Sequence, residues 1–201
     1  MDLGAPVLDV VPAVRGALLQ ALARLEQPVT RRQLAAAAGV APGNASSVIE
    51  DLIRTGLVSE AVAGRSSMVA LNRSHLAAAP LLALAGLRGE LIRRLRERLS
   101  AWPDIRGAWL FGSAARGDAD GGSDLDLLIV ADDLTSPDLH ERLSLLDADV
   151  HAWTGNPLQV VEHTLVSWRK LVRTKNPLVD QIRLDGIVLA GDTTSLLRRP
   201  R

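Results

Sequence analysis

The sequence contains no cysteine. That excludes disulfides, thiolate metal sites and cysteine nucleophiles, and it fits a reducing cytoplasm. Aromatics are scarce: there is no tyrosine, one phenylalanine and four tryptophans. Trp102, Trp109, Trp153 and Trp168 are expected in the core or at an interface rather than as base-stacking platforms. Net charge is absent, with 23 basic and 23 acidic residues. A chain wrapped around nucleic acid is usually basic overall, so any such contact here has to be local. The longest uncharged apolar stretch, Leu76 to Leu87, is too short to span a bilayer, and no membrane association is expected. Asp2 and Asp9 stand where a secretory leader would be basic and then apolar, so a cytoplasmic location is expected. Repeats and low-complexity tracts are also missing. What is present is 201 residues with 47% hydrophobic content and a mean hydropathy of +0.14. That is enough for one large domain or two small ones, each with its own core.

Residues 13–73 carry the periodicity of three helices followed by a hairpin. Val14, Leu18, Leu19, Leu22 and Leu25 share one helical face, and Pro28 stops that helix. Thr30 with Gln33 forms a capping box for a second helix over 31–38, closed by Gly39. Val40-Ala41-Pro42-Gly43 reads as a turn. A third helix then aligns Ala45, Val48, Ile49, Leu52 and Ile53, and Gly56 ends it. Two strands, 57–62 and 68–71, meet at a turn over Ala63-Gly64-Arg65. This layout resembles a winged helix-turn-helix domain, which implies double-stranded DNA as a partner. The resemblance puts Asn44, Ser46, Ser47 and Arg54 at the groove and Arg65 at the wing tip. Residues 1–73 hold seven basic and six acidic residues, and Glu50 and Asp51 lie on the polar side of the third helix. Phosphates would repel them, so a protein-interaction module on the same fold is the competing reading.

Residues 74–100 read as a connecting helical region whose start Pro80 interrupts. Leu87, Leu91, Ile92, Leu95 and Leu99 form its apolar stripe. Arg88, Arg93, Arg94, Arg96 and Arg98 are expected on a solvated face, with Glu90 and Glu97 as partners.

Residues 101–198 carry the chemistry. Gly107 to Phe111 is a strand candidate that runs straight into Gly112-Ser113, with Arg116 close behind. Ten residues separate Ser113 from Asp124. Asp124-Leu125-Asp126 then opens an apolar run that reads as a buried strand emerging at a site. In a strand, Asp124 and Asp126 point to the same side. Two carboxylates so placed repel unless a cation sits between them, and Mg²⁺ is a hard ion that takes oxygen ligands and leaves positions for phosphate. Mn²⁺ would serve as well. Glycine at 112 lets backbone approach a triphosphate, and the Ser113 hydroxyl and nearby amides can donate to it. Arg116 can reach a phosphate, and Ser123 can steady the loop before the acids. These are the parts for attack on an α-phosphate with pyrophosphate leaving.

The run Phe111-Gly112-Ser113, spacer, Asp124-Leu125-Asp126-Leu127 resembles the signature of the DNA polymerase beta-like nucleotidyltransferase superfamily. Gly-Ser-Ala-Ala-Arg-Gly-Asp is especially similar to its minimal members, including those paired with toxins or found in antibiotic-modifying enzymes. The resemblance implies a nucleoside triphosphate substrate and an α+β fold: an N-terminal winged helix-turn-helix, a connecting helix and a C-terminal mixed-sheet domain. It also leaves room for a protein partner or a homodimer.

The family's third carboxylate lies on a later strand. After a helix over 138–149 and the segment Trp153-Thr154-Gly155-Asn156, the strand Leu158 to Glu162 puts Gln159 at that position. Glu162 falls on the opposite face, and a glutamine is neither a base nor a strong Mg²⁺ ligand. Asp118, Asp120 and Asp149 are candidate replacements, whereas His151 and His163 read as ordinary polar residues. Two functions follow. One is an enzyme that transfers a nucleoside monophosphate, with Asp124 and Asp126 catalytic and metal-binding. The other is a catalytically impaired nucleotide-sensing transcriptional regulator or antitoxin-like protein.

Overall fold

A computed structural model describes residues 1–64 and 66–198. The chain divides into two compact units, one of Asp2 and Gly4–Leu87, the other of Met1, Leu3 and the residues from Arg88 onward. The N-terminal unit comprises α1 (Pro6–Val10), α2 (Ala13–Arg24), β1 (Val29–Thr30), α3 (Arg31–Ala37), α4 (Pro42–Arg54), β2 (Val58–Ala63), β3 (Ser66–Leu71) and α5 (Ala78–Ala85). The capping box forms as its residue types dictate. The Gln33 amide donates to Thr30 Oγ1 at 3.2 Å, and the Thr30 amide donates to Gln33 Oε1 at 2.9 Å. Leu18 and Leu22 of α2, Leu34 of α3 and Ala45, Ile49 and Leu52 of α4 close one core against Val58 and Val69. The three strands run in the order β1-β3-β2, all antiparallel. This is a winged helix-turn-helix.

Three local readings change. Pro42 and Gly43 are the first two residues of α4 rather than a turn, because the first helical position needs no N–H and proline has none. Pro80 likewise sits in the first turn of α5 without breaking it. The two-residue β1 and short α1 have too little pattern to show in sequence.

The C-terminal unit begins with α6 (Leu87–Ser100), of which Arg88 onward belongs to it. It continues with β4 (Ile105–Phe111), α7 (Gly112–Arg116), β5 (Leu125–Ala131), α8 (Pro137–Thr154), β6 (Leu158–Thr164), α9 (Leu165–Thr174), α10 (Pro177–Asp185), β7 (Ile187–Gly191) and α11 (Thr193–Leu197). Helix α8 runs through Trp153 and Thr154, beyond the span expected from sequence, and Gly155 ends it in a left-handed conformation. The sheet order is β6-β5-β4-β7, with β5 and β6 parallel and β4 antiparallel to both its neighbours. Strand β5 is buried on both faces, which explains its unbroken apolar run. Leu125, Leu127 and Ile129 join Leu91, Leu95 and Leu99 of α6 and Leu139, Leu146 and Val150 of α8 in one core. Leu128 and Val130 join Trp109, Trp168, Val179 and Ile182 in a second core on the other face. The tryptophan rings of 109 and 168 lie 5.7 Å apart there. The whole is α+β, a mixed sheet with helices on both faces.

Candidate functional site

The site forms where β4 ends. Pairing of β4 with β5 sets Phe111 opposite Asp126, so the residue that follows, Gly112, leaves the sheet beside that carboxylate. Gly112 has φ +70°, and a Cβ placed on it would stand 2.1 Å from Asp126 Oδ2. Any side chain at 112 would therefore occupy the space of the acid. Gly112 opens the five-residue α7, which Gly117 closes at φ +84°. The Ser113 carbonyl accepts from the Gly117 amide at 2.9 Å and from the Asp118 amide at 3.1 Å.

Asp126 alternates with Leu125 and Leu127, so it shares the face of Leu128 and Val130, below α9 and α10. Asp126 is half-buried and Asp124 exposed. Burial raises the Asp126 carboxyl above its ordinary range, repulsion from Asp124 raises it further, and Arg116 partly offsets both. The Asp126 carboxyl thus feels the neighbouring Asp124 charge, as a carboxylate near another does.

Arg116 is not an unengaged phosphate donor. Its Nη1 donates to Asp185 Oδ2 at 3.2 Å and its Nε to Asp118 Oδ2 at 3.3 Å. These partners hold its guanidinium charge. Ser123 braces its own loop: its hydroxyl donates to Asp120 Oδ1 at 2.8 Å and accepts from the Asp120 amide at 3.0 Å. The fully buried Asn156 ties that loop down by donating to the carbonyls of Asp120 and Ser123, at 3.2 and 2.9 Å.

The parallel register of β5 and β6 places Gln159 directly beside Asp126. Glu162 pairs with Ile129 and alternates with Gln159 and Val161, which puts it on the other face. The candidate replacements are engaged elsewhere. Asp118 holds Arg116, Asp120 closes the Ser123 turn, and Asp149 pairs with Arg98 from a helix on the far side of the sheet. His163 is half-buried with Nδ1 3.2 Å from Ser167 Oγ, and burial lowers its pKa. Among the described residues no three acidic or imidazole side chains cluster as a metal cage. The pair Asp124 and Asp126 fits one hard divalent ion whose remaining positions go to water and phosphate.

In the N-terminal unit Asn44, Ser46, Ser47 and Arg54 are all exposed on α4. Arg65 lies outside the described residues. Arg54 pairs with Asp51 at 2.5 Å. Arg31 is held by Glu60 at 2.9 Å and by Glu50 at 3.3 Å. Much of the positive charge on this face is thus neutralised locally. Asp185, Asn156 and Arg88, which donates to the carbonyls of Ala114 and Ala115, were not legible as site residues. None belongs to a motif, and only the folded chain brings them to α7 or its loop.

Residues 91–185 match the family model described as nucleotidyltransferase domain. No curated protein matches the chain significantly. Among solved structures, a chain from a toxin–antitoxin with AMP-PNP is similar at 20% identity and TM-score 0.35, over 54% of this chain and 77% of that one. A MarR-family transcriptional regulator from Rhodococcus sp. RHA1 is similar at 21% identity and TM-score 0.31, over 50% of this chain and 83% of that one. The stretch that matches the family model lies within the C-terminal unit. No helix among the described residues is long and apolar enough to cross a membrane.

Proposed function

We propose that this chain is a divalent-metal-dependent nucleotidyltransferase that moves a nucleoside monophosphate from a triphosphate to an acceptor hydroxyl, coupled to a winged helix that binds duplex DNA. Residues 13–73 would read DNA, 74–100 would link, and 101–198 would carry the transfer chemistry. The observation that supports this most is the contact of Gly112 with the Asp126 carboxylate, with Asp124 close enough to perturb it.

Asp124 and Asp126 would hold Mg²⁺ or Mn²⁺, which supplies charge neutralisation at the phosphates when bound. The missing side chain at Gly112 would leave the Asp126 carboxylate its place beside the start of α7, where the phosphate chain would lie. Ser113 donates to it from the first turn of α7. Arg116, anchored by Asp118 and Asp185, lends its positive field to Asp126 rather than a loose hydrogen-bonding arm. Ser123 and Asn156 keep the approach to Asp124 fixed. The acceptor oxygen would form a bond to the α-phosphorus, the bond to pyrophosphate would break, and the acceptor proton would pass to solvent water. Gln159 cannot take that proton, so general-base help from β6 is missing.

That one residue favours a second reading, a nucleotide-sensing regulator or antitoxin-like protein with little turnover. The test is incubation with α-labelled ribonucleoside triphosphates, Mg²⁺ or Mn²⁺ and candidate protein or nucleic-acid acceptors. Label transfer that vanishes in Asp124→Ala/Asp126→Ala supports the enzyme. No transfer with any acceptor, together with a nucleotide-dependent change in DNA affinity, would support the sensor.

A further inference from the structure

We infer that Arg88 is a positioning residue for the nucleotide site, the group that holds the turn from Gly112 to Gly117 against Asp126. The inference rests on the nucleotide reading above. Helix α7 has five residues, too few to persist alone. Its last carbonyls have no donors within the helix and must find them elsewhere. The amides of Gly117 and Asp118 meet the carbonyl of Ser113. Arg88 meets the next two: its Nε donates to the Ala114 carbonyl at 2.8 Å, and its Nη2 donates to the carbonyl of Ala115.

Arg96 of α6 also donates to a backbone carbonyl, that of Val188 at 3.0 Å, but through Nε alone, whereas Arg88 meets two successive carbonyls. Arg93 and Arg94 pair with Glu90, and Arg98 with Asp149. No carboxylate among the described residues pairs with Arg88. The half-buried guanidinium presents two N–H groups to two successive carbonyls, a fork that an ammonium cannot reproduce. The guanidinium lies against Gly117 at van der Waals distance, 3.5 Å from the place a Cβ would take, so it packs on the residue that closes α7. At the other end of the turn Gly112 lies beside Asp126, whose Oδ2 fills the place a Cβ would take. Movement of α7 therefore moves Gly112 and Ser113 relative to the carboxylates, and Arg116 with them. Arg88 stands ahead of the stretch matched by the family model, at the head of α6.

The test uses the full chain as wild type, Arg88→Met and Arg88→Lys. Amide hydrogen exchange is followed at Gly117 and Asp118 and, as an internal standard, at Leu127 to Val130 in β5. Calorimetry measures binding of each of the four ribonucleoside triphosphates with Mg²⁺. Arg88→Met is expected to speed exchange at Gly117 and Asp118 by about tenfold, the scale of a lost charge-assisted hydrogen bond, with β5 unchanged. The best-bound triphosphate should weaken by a similar factor, and Arg88→Lys should fall between. Unchanged exchange at the turn, or an equal rise in β5 and the turn, would overturn the assignment. If wild type binds no triphosphate, the nucleotide reading fails, while the exchange pattern still decides whether Arg88 holds the turn.

Discussion

Gly112 and Asp126 constrain each other. A residue at 112 needs positive φ and no Cβ, and Asp126 needs the room that glycine leaves. Gly112→Ala is expected to cost about 1–2 kcal/mol from backbone conformation alone, and more from the displaced carboxylate. Chemical denaturation measures this, and a loss under half that value would show that the turn relaxes freely. Asp126 also makes a pH prediction. Its folded carboxyl holds a proton more tightly than in the unfolded chain, through burial and then Asp124. That contribution favours the fold below the ordinary aspartate range and is lost as pH rises through the raised value. At neutral pH the ionised Asp126 is a burden on the metal-free protein. Asp126→Asn should therefore raise the melting temperature at neutral pH and leave it nearly unchanged at about pH 3. A melting temperature lowered at neutral pH would count against this account. Strand alternation carries Asp126, whereas Asp124 lies one residue before β5, in the loop that leads into it, and not in the strand expected from sequence; the contact between Gly112 and Asp126 was not legible, because it depends on pairing between β4 and β5.

At the scale of elements, β6 decides how much chemistry the site supports. Its parallel register sets Gln159 beside Asp126, at the position that the resemblance to the nucleotidyltransferase family implied for a third carboxylate. Gln159→Asp would add a third carboxylate on the same face. Mn²⁺ affinity should rise by about tenfold, a tuning by ligand charge of the kind oxygen sites show. Isothermal calorimetry with Mn²⁺ reads this, and an unchanged or weaker affinity would mean that Gln159 points away from the acids. Helix α6 shows the limit of periodicity. Its leucine stripe predicted the core face correctly, and Arg93, Arg94 and Arg98 do lie in surface ion pairs. Arg88 belongs to the same basic run, yet it serves the carbonyls of α7. A side chain's partner on another element has no local signature.

Across the whole molecule, each of the two units carries its own apolar faces and its own turn chemistry, and their boundary at Leu87 and Arg88 falls inside the stretch 74–100 that reads as one connecting region in sequence. The elements after β6 were not, since α9, α10 and α11 are short and β7 is a five-residue edge strand. The charge balance of the N-terminal unit is now explained by pairs, Arg31 with Glu50 and Glu60 and Arg54 with Asp51. Duplex binding by the full chain should consequently be weak, with a shallow salt dependence set by few phosphate contacts. Arg65→Ala should reduce the slope of log affinity against log salt by about one. Filter binding over a salt series measures this, and binding that does not respond to salt would remove DNA as the partner.

The central claim is that Gly112, Ser113, Asp124 and Asp126 form one site for a metal-bound triphosphate. Calorimetric titration of the four ribonucleoside triphosphates, with Mg²⁺ and with chelator, into wild type and Asp124→Asn/Asp126→Asn tests it directly. The account predicts that at least one triphosphate binds wild type only when Mg²⁺ is present and fails to bind the double variant. Binding that is equal in the two proteins, or independent of the metal, would contradict it.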